Sequence, residues 1–85
     1  IHINFKGGGL MEQENRFCEK LISQFRKRRY KLGLSQPQID QKTGIADGLT
    51  AKWEIGYRKP TLFNAFAWAE SLNCDLVLKP RKKQK

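Results

Sequence analysis

The chain has 85 residues, with 17 lysines and arginines against eight aspartates and glutamates, and a formal net charge of +9. That length makes one domain with a small core, which a second copy would help to bury, and that charge fits a partner bearing phosphates, either nucleic acid or an acidic membrane surface. Two distant cysteines, Cys18 and Cys74, with no CxxC pair and a single histidine, His2, argue against a metal site; no apolar run approaches a membrane span or signal peptide, so the chain reads as soluble and cytoplasmic.

In residues 1–10, Ile1, Ile3 and Phe5 alternate with polar residues, which is strand periodicity, and Gly7-Gly8-Gly9 then makes a flexible link. Two readings of this segment stand: a leader or vector-derived stretch ahead of Met11, or a short strand that pairs with residues 75–79. From residue 12 to residue 32 the period becomes helical, with Phe17, Leu21, Ile22, Phe25 and Leu32 on one stripe. Glu12 and Glu14 stand at its N-terminal end, and Arg26, Lys27, Arg28, Arg29 and Lys31 at its C-terminal end, each group opposing the helix dipole. Lys27 and Lys31 are expected to be solvated.

A second helix is expected over Gln36–Thr43. Ser35 and Gln38 have capping-box spacing, and Pro37 sits in the first turn, where a missing N–H costs nothing. Gly44 permits a tight reversal, with Ile45 plugging the angle behind it. A third helix is expected over residues 47–55, capped by Gly56. With Thr50 and Trp53 turned inward, helical spacing aims Ala46, Asp47, Gly48, Ala51 and Lys52 outward. Trp53 is read as a core residue rather than a base-stacking one. Thr61 caps a fourth helix over residues 62–72, whose Leu62, Phe66, Ala69 and Leu72 face the core; Phe63 and Trp68 do not fit that stripe, an apolar excess that signals either a dimer surface or a wide core face. Asn73 suits a left-handed helix end, and residues 75–79 read as a short strand that needs a partner, either residues 1–5 or a second subunit. Residues 81–85 form a basic tail, either solvated or following DNA.

The stretch from Leu34 to Pro60 resembles the helix-turn-helix of the lambda-repressor-like (XRE) DNA-binding domains. The resemblance rests on Leu34-Ser35-Gln36, Ile39, Gly44-Ile45, Trp53-Glu54, Gly56 and Arg58-Lys59-Pro60, spaced without insertion, and extends over about three quarters of the chain, from residue 17 to residue 78. It implies an all-α bundle of four to five helices, here followed by a short terminal β-strand. The domain would span residues 11–73, the strand 74–80 and the tail 81–85.

The resemblance also assigns roles. Arg29 would pair with Glu54, tying the first helix to the recognition helix, and Gln36 would contact the DNA backbone. The recognition helix would enter a major groove, where Lys52 reaches guanine or a phosphate and a free Asp47 carboxylate accepts from cytosine N4. Asp47 stands ready to cap this helix, since Ala46 replaces the usual Ser or Thr. Gly48 offers no side chain where the family reads a base, so direct readout looks sparse, leaving part of the specificity to shape and water. Tyr57, Arg58 and Lys59, in the loop after the helix, are candidates for phosphate contacts. Asp40 departs from the family, which carries alanine there. A buried, unpaired carboxylate would be costly, so Asp40 is expected to tilt outward or pair with Lys42 or another cation.

Two functions follow. The first is a sequence-specific regulator of transcription, a repressor that binds double-stranded DNA as a homodimer on a near-palindromic operator. The alternative is an antitoxin that neutralises a partner toxin and represses their shared promoter, through a weak likeness of residues 72–80 to the dimerising strand of that subgroup. No cofactor is implied. No paired carboxylates, nucleophile constellation or phosphate loop supports an enzyme.

Overall fold

The computed structural model describes residues 9–82. Four helices form around one small core: α1 (Gly9–Leu32), α2 (Gln36–Thr43), α3 (Leu49–Glu54) and α4 (Leu62–Ser71). The alternating segment at residues 1–5 and the last tail residues, 83–85, lie outside the described residues. Helix α1 starts earlier than expected, so Gly9 of the glycine link is already helical.

The core is assembled from one or two residues per helix. Phe25 of α1, Ile39 of α2, Trp53 of α3, and Trp68 and Ala69 of α4 with Leu72 are buried together, and Leu21, Ile22, Leu34, Ile45, Leu49 and Cys74 pack against them. Phe25 stacks on Trp68 with ring centroids 4.1 Å apart and planes 10° from parallel, and Trp53 leans on the same indole at 5.0 Å. Phe17 and Leu32, expected on the buried stripe of α1, are exposed.

The buried face of α4 is the expected one at Ala69 and Leu72 but not at Leu62 and Phe66. Ala65, Trp68, Ala69 and Leu72 are buried, whereas Leu62 is 86 % and Phe66 52 % exposed. Residues two apart on a helix point about 200° apart, so Phe66 and Trp68 cannot both face inward. The larger indole takes the core.

The expected strand at residues 75–79 is absent: residues 74–80 have no regular secondary structure, and no strand forms among the described residues. So short a segment cannot hold strand geometry without a partner to bond to. Helix α4 ends before this segment in a tight turn, with Asn73 left-handed at φ 58° and the Asn73 and Cys74 amides donating to the Glu70 and Ala69 carbonyls at 3.0 and 2.9 Å.

Helix α2 has the expected bounds for local reasons. The Gln38 amide donates to Ser35 Oγ at 3.2 Å and the Ser35 amide to Gln38 Oε1 at 2.7 Å, which closes the capping box. At the other end Gly44 takes φ 74°, and its amide donates to the Asp40 carbonyl at 2.9 Å, reversing the chain toward α3.

The arginines at the end of α1 are structural. Arg26 Nη1 donates to the Glu54 carbonyl at the end of α3 (3.2 Å), and Arg28 Nε donates to the Leu72 carbonyl at the end of α4 (3.0 Å). Each satisfies a carbonyl that has no helical partner and places a positive charge at the negative end of a dipole. Lys27 and Lys31 remain exposed.

Candidate nucleic-acid interface

The interface is built on a buried carboxylate. Arg29 Nε donates to Glu54 Oε2 at 2.6 Å and Nη2 to Oε1 at 2.8 Å, a two-point fork between α1 and α3, and Nη1 donates to the Leu34 carbonyl at 2.9 Å. Both side chains are nearly out of solvent, and the guanidinium lies 4.7 Å from the Tyr30 ring. The hydrogen bonds that Arg29 donates to Glu54 raise its already high pKa, outweighing desolvation, so the guanidinium stays charged. Gln36 Nε2 donates to Glu54 Oε1 at 3.0 Å, which brings α2 to the same carboxylate. One acidic side chain thereby sets the positions of α1, α2 and α3.

Helix α3 is shorter than expected, Leu49–Glu54 rather than residues 47–55. Gly48 stands at its N-cap with φ 84°, a conformation no helix interior accepts, so Ala46, Asp47 and Gly48 form a turn before the helix instead of its first face. Asp47 does not cap the helix: no side chain caps it from the N-cap position.

The cap comes from Asp40, which corrects the expected outward tilt. Asp40 is 4 % exposed, with Oδ2 accepting from the Gly48 amide at 2.7 Å and Oδ1 from the Thr50 amide at 3.0 Å and the Thr50 hydroxyl at 2.6 Å. Burial is tolerable because hydrogen-bond donors surround the charge, and no cation is involved. The residues are eight and ten positions apart, so no local spacing in the sequence announces the contact.

The remaining candidate residues lie on the turn before α3, on α3 and in the loop after it. Ala46 and Asp47 are exposed on the turn, Ala51 is half-buried and Lys52 exposed on α3. The Tyr57 and Arg58 amides both donate to the Lys52 carbonyl, at 2.9 and 3.3 Å, which folds the loop back onto the end of the helix and keeps Lys52, Tyr57 and Arg58 together. Tyr57 and Arg58 are exposed. Lys59 is engaged elsewhere: Nζ donates to Asn15 Oδ1 at 3.0 Å and lies 3.9 Å from Glu14 Oε2, both on α1. That contact also had no signal in the sequence.

Two consecutive helices joined by a left-handed glycine, with the second held by its partners and edged by exposed cations, define a helix-turn-helix DNA-binding protein. The sequence matches the helix-turn-helix family model over residues 22–79. The chain belongs to this family, of the lambda-repressor-like (XRE) type, whose members are DNA-binding regulators of transcription. No curated protein and no solved structure matched the chain significantly. Among the described residues no helix is long and apolar enough to cross a membrane, and no three metal-ligating side chains cluster.

Proposed function

We propose that the chain is a sequence-specific repressor that binds double-stranded DNA as a homodimer, each subunit placing α3 and the turn before it in a major groove of a near-palindromic operator in the cytoplasm. The observation that carries this reading is the exposure of Lys52 on α3, of Ala46 and Asp47 on the turn before it and of Tyr57 and Arg58 in the loop after it, around a helix held from within by Arg29, Asp40 and Glu54. A rigid element with polar side chains on its free face is what base and phosphate contacts require. Leu62, Phe63 and Phe66 support a second subunit: three large apolar side chains exposed on one short helix fit an interface better than solvent. Gln36 fits a phosphate contact with the donor and acceptor capacity it retains after bonding Glu54.

Arg58→Ala tests the phosphate side of this reading. Binding to every duplex should weaken by a similar factor, and the slope of log K against log salt should fall by about 1, one counterion fewer being released. Titrations at three salt concentrations read both, and an unchanged slope removes Arg58 from the interface.

One observation favours the alternative, an antitoxin. Val77 and Leu78 are turned to solvent, Leu78 at 99 % exposure, a pair of apolar side chains suited to a protein partner. Truncation after residue 75 separates the two: an antitoxin loses neutralisation of the toxin encoded beside it, and a plain repressor keeps its operator affinity.

A further inference from the structure

We propose that Asp40 is a specificity-determining residue, one that sets which bases the protein reads without touching DNA. The proposal rests on the DNA-binding reading of α3 and adds to it the element that shapes the reading surface.

The recognition helix has six residues, too few to hold itself in water. Its C-terminal end is held by Arg26 and by the Arg29 fork. At its N-terminal end Asp40 is the side chain that hydrogen-bonds the backbone amides. The Gly48 and Thr50 amides donate to the Asp40 carboxylate, and the Leu49 amide between them donates to the Ala46 carbonyl at 3.2 Å. Three consecutive amides at the start of the helix are therefore used internally.

Two consequences follow. A helix N-terminus ordinarily attracts phosphate through free amides and a positive dipole end. Here three of these amides are occupied and a carboxylate sits against them, which disfavours a phosphate at this end and leaves the DNA backbone to be held elsewhere. Second, the carboxylate fixes the left-handed Gly48 and with it the turn that displays Ala46 and Asp47. Beside the Leu49-to-Ala46 bond within the turn and the packing of Ile45 and Leu49 at its two ends, the carboxylate is what reaches Gly48 itself, around which the space is open. Releasing the carboxylate leaves the turn free to adopt other shapes, which changes the donors and acceptors presented to base edges while the cations at the far end of α3 stay in place.

The test compares Asp40→Asn, Asp40→Ala and Thr50→Val with the wild type, each titrated against a site selected by the wild type and against a scrambled duplex. Asp40→Asn has the same size and opens no cavity, but its amide nitrogen confronts a donor. Its ratio of specific to scrambled affinity should fall about tenfold or more, the loss expected when a good base contact is misplaced, with scrambled affinity and salt slope unchanged. Asp40→Ala should lower the ratio further. Thr50→Val removes one hydrogen bond but keeps both amide bonds to the carboxylate, so it should lower Tm and keep the ratio. On the wild type alone, the Gly48 and Thr50 amides should exchange with solvent as slowly as the core amides of α2, a readout that holds even if the variants fail to fold. The proposal is overturned if Asp40→Asn keeps the wild-type ratio, if Thr50→Val loses as much of it, or if those amides exchange rapidly. Wild-type protein with no preferred site would instead overturn the repressor reading, and this proposal with it.

Discussion

Glu54→Ala lowers Tm by about 12 °C or more in the absence of DNA. Removing one partner of a buried ion pair costs roughly 3–5 kcal/mol, because the other charge remains desolvated, and each kcal/mol shifts Tm by about 4–8 °C in a domain of this size. The total stability expected of 85 residues is only about 4–13 kcal/mol, so that loss is a large fraction of it and exceeds its lower end. The effect is large here because Glu54 serves several partners. Its loss strands the Arg29 guanidinium, which keeps only the Leu34 carbonyl and the Tyr30 ring, and takes the acceptor from Gln36. Replacing the pair together, as Arg29→Met with Glu54→Leu, should cost less than Glu54→Ala alone, since no buried charge is left over. A thermal melt of the three proteins decides it. A loss under about 1 kcal/mol for Glu54→Ala would mean that the pair behaves as an exposed one.

The second large effect is at Trp68. Trp68→Ala should cost about 3–5 kcal/mol, the range for emptying a large aromatic site in a core that cannot collapse. The indole is fully buried, stacked on Phe25 and leaning on Trp53, so it is the side chain that joins α1, α3 and α4. Its Nε1 has no hydrogen-bond partner among the described residues, and an unpaired buried donor carries a penalty of about 1–3 kcal/mol. Trp68→Phe removes that donor along with part of the ring, so it should cost less than half of what Trp68→Ala costs. Denaturant titrations followed by helical circular dichroism measure both. Equal losses would show that the unpaired nitrogen has no energetic weight, and a small loss for Trp68→Ala would place the centre of the core elsewhere.

How much of this was legible in the sequence depended on how local the signal was. Helix α2 was readable to the residue because Ser35, Gln38, Pro37 and Gly44 act within one turn of where they stand. The pairing of Arg29 with Glu54 came from the likeness to a family, since nothing in the residues themselves links positions 25 apart. Asp40 was misread for the same reason. Its partners at Gly48 and Thr50 lie across a turn, and a carboxylate at an inward position looks like a liability until three donors are seen around it. The start of α3 moved with it, because a cap supplied from another helix shows no N-cap residue in the sequence. On α4 periodicity allowed two apolar faces, and packing volume chose the one with Trp68. The expectation of a strand at residues 75–79 rests on the short apolar run Leu76-Val77-Leu78, and such a run supplies no partner.

The central claim is sequence-specific DNA binding by a two-fold pair of α3 helices. Selection of bound sites from random duplex DNA, with the full chain, tests it most directly. The account predicts a near-palindromic site with half-sites about 34 Å apart, one turn of the duplex. Binding that depends on salt but is indifferent to sequence would contradict it.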